Sequence, residues 1–160
     1  MILLLMRHAL AAPQDPERYP DDALRPLLPR GRRVQQRMSA QLLKRDLMPN
    51  RVYSSPWKRA WQTARILVDE TGLRKRARIP CQSLAEPPVL ANLSAEIGPL
   101  LPDEYVALVG HEPWMGTLAA QLLTGSDTGL RLDFPKSGIM GIETEGLVPG
   151  QGVLLFFMVP

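Results

Sequence analysis

The feature that most constrains the fold of this chain is the apolar run at residues 2–6, which Arg7 and His8 follow directly. A run this short cannot cross a bilayer, and it is typical of a strand buried on both faces, like the central strands of parallel sheets. Arg7 and His8 then lie at the carboxyl end of that strand, the edge of an open α/β sheet where ligands bind. A lone histidine there could simply cap the strand, so its interpretation depends on the residues placed beside it.

A second apolar strand pattern, residues 105–109, ends in the same way, because Gly110 and His111 follow it. His8 and His111 are the two histidines of the chain. If the two strands are parallel neighbours, both imidazoles emerge at the same edge of the sheet and face each other. This shared position favours a functional pair over two unrelated caps.

The segment between these strands predicts a short strand, residues 51–54, that leads into a helix. Ser54 or Ser55 is a suitable N-cap for that helix, and Pro56 suits its first turn. Arg59 then lies near the helix N terminus, where free N–H groups and the helix dipole attract anions.

Two guanidinium groups and two imidazoles in one place repel each other unless an anion lies among them, and a phosphoryl group fits that need. A zinc site would require a third histidine, cysteine or carboxylate ligand, and the arginines would oppose a cation. We therefore expect neither a metal nor another cofactor.

Composition is consistent with one globular domain over residues 1–160, since 45% of the residues are hydrophobic and 22% are charged. No basic region of the kind found in signal peptides precedes the apolar run at residues 2–6. The single Cys81 excludes an internal disulfide. No stretch approaches the ~20 apolar residues of a membrane span. We expect a cytoplasmic protein without a membrane partner.

Strand patterns that alternate with helical patterns predict an α/β protein, a three-layer α/β/α sandwich around a mostly parallel sheet. The last strand pattern is continuous and apolar enough to be buried. Helical patterns cover residues 31–48, 89–100 and 114–123, and further strand patterns cover residues 79–84, 130–134, 139–144 and 153–159.

Two other segments bear on ligands. The proline-rich residues 10–29 predict a long loop that leaves directly from the proposed site, and Arg25 within it is a candidate for binding the anion. The basic cluster at residues 74–78 lacks interleaved aromatic residues and any recognition motif, so we predict no nucleic-acid partner.

Four segments of the chain form a recognisable set of motifs. In chain order they are Met6-Arg7-His8-Ala9, residues 25–31, residues 55–64 and Gly110-His111-Glu112-Pro113. They resemble the motifs of the histidine phosphatase superfamily, and in particular of the small SixA-type phosphohistidine phosphatases, in the expected order over most of the chain. The first is similar to the family's Arg-His-Gly motif, with Ala9 where glycine is usual, and the third matches Ser-Pro-x-x-Arg-Ala-x-Gln-Thr-Ala throughout.

The resemblance implies a metal-independent hydrolase in which His8 is the nucleophile and forms a covalent phosphohistidine. It makes Arg7 and Arg59 the phosphate ligands and His111 a second cationic partner. Ser137, just before a late strand pattern, is a candidate for a further hydroxyl contact with the phosphate.

The resemblance also implies a carboxylic proton donor for the leaving group in the segment after the Arg59 helix. Glu86 is the candidate by position, and Asp15 and Glu17 in the long loop are weaker ones. Without such a donor, the enzyme would suit leaving groups that depart readily, such as the imidazole of phosphohistidine.

Several functions stay open at this point. A SixA-like enzyme would dephosphorylate phosphohistidine in a protein, whereas a phosphatase or mutase of the same superfamily would act on a small phosphate ester. A non-catalytic phosphate-binding module would keep Arg7, Arg59 and His111 but would not need His8. The sequence does not predict the oligomeric state.

Overall fold

The computed structural model describes residues 1–160 and contains one six-stranded sheet and four α-helices. The strands are β1 (Ile2–Arg7), β2 (Arg51–Ser54), β3 (Arg78–Pro80), β4 (Tyr105–Gly110), β5 (Ile139–Glu143) and β6 (Val153–Met158). The helices are α1 (Pro29–Lys44), α2 (Lys58–Glu70), α3 (Leu90–Ile97) and α4 (Trp114–Thr124). None of these helices combines the length and the hydropathy that a bilayer crossing requires.

The strand order is β3-β2-β4-β1-β5-β6. The pairs β3–β2, β2–β4 and β4–β1 are parallel, whereas β5 runs antiparallel to both β1 and β6. Five strands therefore point the same way, and the predicted α/β class with a mostly parallel sheet is confirmed.

The two apolar runs form the central strands β1 and β4, which are direct neighbours as predicted. Arg7 lies opposite Gly110 in their parallel register. The residues that follow, His8 and His111, consequently leave the sheet side by side at its carboxyl edge.

Strand β1 is apolar from Ile2 to Met6 because helices cover both faces of the sheet. Leu3 and Leu5 pack in the core cluster that includes residues of α3 and α4, whereas Leu4 and Met6 pack in the cluster that includes residues of α1 and α2. Each of these four side chains is fully buried. The predicted three layers are thus helices, sheet and helices.

The predicted start of α2 is wrong. Its N-cap is Trp57, and the helix begins at Lys58 rather than directly after Ser54 or Ser55. A residue that precedes proline is pushed towards extended backbone, and the N–H of Ser55 still donates to the carbonyl oxygen of Val109 on β4 at 3.0 Å. Its hydroxyl group is thereby free to contact the site.

Two of the late strand predictions are also wrong in part. Residues 130–134 form no strand, because the apolar Leu132 and Phe134 reach the core from an irregular segment. The strand β6 forms but is not buried, since it is the outermost strand and Val153 is 58% exposed. An unbroken apolar run does not distinguish a central strand from an edge strand.

Candidate active site

A cavity of about 500 Å³ opens at the carboxyl edge of the central strands, and it is lined by five of the predicted site residues. A larger cavity of about 610 Å³ lies elsewhere, around Leu100 and Gln151, and is lined by no histidine or arginine. The five residues that the fold brings together at the first cavity are Arg7, His8, Arg25, Arg59 and His111.

His8 is held by the backbone that follows it. Its Nδ1 lies 2.7 Å from the carbonyl oxygen of Ala9, while the Ala9 N–H donates to Thr63 Oγ1 at 3.0 Å. A carbonyl oxygen only accepts, so Nδ1 of the neutral ring carries the hydrogen and Nε2 keeps a free lone pair. Burial lowers the pKa of His8 to about 2, and the ring is therefore neutral near pH 7.

His111 lies beside His8, with 5.1 Å between the ring centroids. Its Nε2 is 2.8 Å from Ser55 Oγ, and its buried Nδ1 has no hydrogen-bond partner. Burial lowers the pKa of His111 to about 3, and Arg59 acts in the same direction. His111 is therefore neutral near pH 7 in this structure, unlike the cation that the family resemblance implies.

The guanidinium groups of Arg7 and Arg59 are fixed by hydrogen bonds to the backbone. Arg7 Nη1 donates to the carbonyl oxygen of Phe134 at 2.7 Å, and Arg59 Nη1 donates to that of Asp22 at 2.8 Å. Arg59 is 4% exposed and stacks 4.6 Å from the ring centroid of Trp57. Both Nε groups are buried without a partner, so each side chain has donor capacity left for a ligand.

Arg25 reaches the cavity from the long loop, which contains only the 3₁₀ turn Asp22–Leu24 and one isolated bridge. The carboxylate of Asp22 accepts from Arg25 Nε at 2.6 Å and lies 3.0 Å from Arg59 Nη2. The hydrogen bond from Arg25 is the largest influence that lowers the pKa of Asp22. Asp22 thus partly neutralises the cations, a role that the sequence analysis missed.

Two predicted residues do not line the cavity. Glu86 is exposed, and its carboxylate accepts from Gln82 Nε2 at 3.2 Å. Ser137 adopts a φ of 64°, and its N–H donates to the carbonyl oxygens of Arg7 and His8, but its buried Oγ has no partner. Ser137 therefore supports the site through its backbone.

The weaker acid candidates in the loop also lie outside the cavity lining. Asp15 Oδ1 accepts the backbone N–H groups of Glu17 and Arg18, which is a local loop contact. Glu17 is exposed.

Beyond Asp22, eight further residues that the sequence does not single out line the cavity, and the largest or charged ones among them are Trp57, Glu112, Trp114 and Lys136. Trp57 packs 4.7 Å from the ring centroid of His111 and forms one wall. Burial lowers the pKa of the Lys136 ammonium group and raises that of the Glu112 carboxyl group. Trp57 and Glu112 lie inside the third and fourth family-like motifs, and Lys136 precedes Ser137, but no feature of the sequence marks any of the three as a residue of the site.

With this geometry in view, residues 3–83 match the model of the histidine phosphatase superfamily (branch 1). The match covers half of the chain, which therefore belongs to the histidine phosphatase superfamily and is a hydrolase of the phosphatase type.

Among solved structures, the chain is similar to the protein histidine phosphatase SixA in complex with tungstate, with 26% identity and a TM-score of 0.83 over 99% of this chain and 96% of that one. A phosphoserine phosphatase from Entamoeba histolytica, in complex with 3-phosphoglyceric acid, has 16% identity and a TM-score of 0.67 over 99% and 97% of the two chains. The second likeness shows the shared fold alone. An uncharacterised protein of Picosynechococcus is 33% identical over 147 residues, or 90% of this chain and 86% of that protein.

Proposed function

We propose that residues 1–160 act as one phosphatase domain that transfers a phosphoryl group from the substrate to His8 Nε2 and then to water. The observation that carries this proposal is the hydrogen bond from His8 Nδ1 to the Ala9 carbonyl oxygen, which leaves the Nε2 lone pair free. The lone pair belongs to a neutral imidazole in a cavity lined by three arginines.

In the first step, Nε2 forms a bond to phosphorus while the bond from phosphorus to the leaving group breaks. In the second step, water forms the new bond to phosphorus, and the Nε2–phosphorus bond breaks. Covalent catalysis of this kind replaces one difficult displacement by two easier ones.

The arginines supply the electrostatic stabilisation. Charge in the transition state is spread over the oxygens of the transferring group, and donors already fixed in place stabilise it without reorganising. Arg7 and Arg59 have this property because both are anchored through Nη1 and retain unpartnered N–H groups. Because these side chains provide the positive charge, we expect activity to be unchanged by a metal chelator.

His111 supplies a further hydrogen-bond donor, and its contact with Ser55 determines which ring nitrogen carries the hydrogen. The Ser55 hydroxyl oxygen accepts the N–H of Trp57 at 3.3 Å and lies 2.8 Å from His111 Nε2. Because no other acceptor contacts this hydroxyl group, we assign its hydrogen to the lone pair of His111 Nε2. Neutral His111 therefore carries its hydrogen on Nδ1, which is free to bond a phosphoryl oxygen. A dianion at that point also raises the pKa of His111 above its value in the free site, which favours the protonated ring while substrate is bound.

The substrate that we propose is phosphohistidine in a protein. The similarity to SixA over nearly the whole of both chains supports this choice. The element order supports it too, because apart from the four α-helices and three short 3₁₀ turns the connections hold no helix that could form an inserted cap. A small phosphate ester is the alternative substrate.

A direct comparison of substrates tests the proposal. A histidine-phosphorylated protein, prepared chemically with phosphoramidate, would be assayed beside phosphoserine and 3-phosphoglycerate, with the His8→Ala variant as control. We expect kcat/KM to be highest for the histidine-phosphorylated protein, and an acid-labile phosphoenzyme to form only with intact His8. A preference for a small ester would overturn the substrate, and phosphate binding without turnover would support a non-catalytic module instead.

A further inference from the structure

We propose that Glu112 is the proton donor to the leaving group, a role that rests on the proposed phosphoryl transfer to His8. Glu112 lines the same cavity as Arg7, His8 and His111, and it is half-buried. Its Oε2 accepts the N–H of Gly116 at 3.3 Å in the first turn of α4, which holds the carboxyl group in place. Its Oε1 is buried and has no hydrogen-bond partner.

The other acidic groups are excluded by their surroundings. Asp22 and Glu112 are the two acidic residues in the cavity lining, but Asp22 is held as an anion by Arg25 and Arg59. Glu86 is exposed and lies outside the cavity lining. Glu112 is therefore the acid that remains available.

The surroundings of Asp22 and Glu112 shift the pKa values of the two carboxyl groups in opposite directions. Burial raises the pKa of Glu112 and Asp133 acts in the same direction, whereas the Gly116 N–H and Arg7 lower it. Lys136 also lines this cavity, and the two histidines that face it are neutral near pH 7. A pair of acids pushed in opposite directions is the pattern by which acid and base roles are divided in active sites.

The proposed step balances in both directions. As the bond between phosphorus and the leaving atom breaks, the electron pair stays on the leaving atom and takes the proton of the Glu112 carboxyl group. In the second step the Glu112 carboxylate takes a proton from the attacking water while oxygen bonds to phosphorus and His8 Nε2 departs. The acid is thereby restored for the next turnover.

A proton donor matters most when the leaving group is strongly basic, and this dependence distinguishes it from a structural residue. The experiment compares wild type with Glu112→Gln on 2,4-dinitrophenyl, p-nitrophenyl and phenyl phosphate, whose leaving groups become steadily more basic. Glutamine retains the shape of the side chain and an oxygen that can accept the Gly116 N–H. We expect kcat/KM to fall by about 100-fold for phenyl phosphate and by less than about threefold for 2,4-dinitrophenyl phosphate.

The matched control is Glu86→Gln, for which we expect no change with any ester. Near-wild-type activity of Glu112→Gln on the dinitrophenyl ester serves as its folding control. An equal loss on all three esters, or no loss on phenyl phosphate, would overturn the role of Glu112.

The same three esters also test the role of Glu112 separately from the proposed phosphoryl transfer to His8. If wild type and Glu112→Gln both form an acid-labile phosphoenzyme from the dinitrophenyl ester, the nucleophile stands and the ester series decides the role of Glu112. Failure of wild type to form a phosphoenzyme would overturn the proposed phosphoryl transfer itself.

Discussion

His8 and His111 end two neighbouring parallel strands and are both buried, neutral imidazoles, yet their hydrogen bonds engage opposite ring nitrogens. His8 uses Nδ1 to donate to the Ala9 carbonyl oxygen, whereas His111 presents Nε2 to the Ser55 hydroxyl group. In a neutral imidazole, the partner of one nitrogen determines whether the other is a base or a donor. Two residues in equivalent places are therefore assigned different chemistry, one as nucleophile and one as phosphate ligand.

Removal of the nucleophile is expected to have the largest effect. His8→Ala leaves no atom to form the covalent intermediate, so we expect kcat to fall by at least about 1,000-fold and the phosphoenzyme to disappear. The measurement is steady-state hydrolysis of p-nitrophenyl phosphate together with an acid-labile phosphate trap. Full activity in His8→Ala would contradict the assignment of the nucleophile.

Removal of the second histidine is expected to slow the reaction without abolishing the intermediate. His111→Ala deletes one donor to the transferring group, for which we expect kcat/KM to fall by about 100-fold. Radiolabelled phosphate should still be trapped on His8 in this variant. If His111→Ala remains folded but forms no phosphoenzyme, the assignment of different roles to the two histidines is wrong.

Both histidines should make the protein less stable in acid. Their pKa values are lowered to about 2 and about 3, so below about pH 6.5 the unfolded chain binds more protons than the folded one. Stability therefore falls as the pH drops from about 6.5 to 4, by up to about 1.4 kcal/mol per pH unit for each histidine, and it levels off above that range. Urea unfolding at several pH values measures this slope.

The matched variants for that measurement are His8→Gln and His111→Gln. We expect each to flatten the pH dependence of the free energy of unfolding. A slope that neither variant changes would show that other groups cause the acid sensitivity.

Ser55→Ala is expected to have a smaller effect that is specific to His111. Without the hydroxyl group, His111 can place its hydrogen on either nitrogen, and we expect kcat/KM to fall by about tenfold, with recovery in Ser55→Thr. ¹⁵N shifts of the imidazole nitrogens should show Nδ1-protonated His111 in wild type and a mixture in Ser55→Ala, with His8 unchanged. An unchanged His111 spectrum would show that Ser55 does not set the tautomer.

Ala9→Gly should have the smallest effect. Ala9 is fully buried with Ala11, Leu27 and Ile66, and its φ is not positive, so the methyl group fits where glycine is usual in the family. Glycine loosens the backbone that holds His8 Nδ1, and we expect a loss of about 1 kcal/mol in the free energy of unfolding and a decrease in kcat of less than about threefold. A large gain in kcat would show instead that the methyl group restrains the nucleophile.

The central part of the fold could be predicted because the same residues carry several signals at once. Residues 2–6 and 105–109 are apolar on both faces, and each ends in a histidine, so the pattern indicated both the neighbouring strands and the shared edge. Strand β6 shows the limit of that inference, since its apolar run is equally continuous but lies at the edge of the sheet.

Within the site, the sequence predicts the histidines and arginines of the motifs but not the residues that contact them. The contact between Asp22 and Arg59 joins a loop to a helix across 37 positions of sequence, and no local sequence pattern predicts it. Glu86 was selected by its position in the chain, but the extended backbone that follows the turn Gln82–Ala85 leaves its side chain exposed. Position in a sequence does not determine which way a side chain points.

The most direct test of the contrast between the histidines is to identify the phosphorylated atom. Wild-type enzyme would be quenched in alkali during turnover of the histidine-phosphorylated protein, digested, and examined by mass spectrometry and ³¹P NMR against both phosphohistidine isomers. We expect phosphate on Nε2 of His8 and none on His111. Phosphate on Nδ1 of His8, or on either nitrogen of His111, would contradict this expectation.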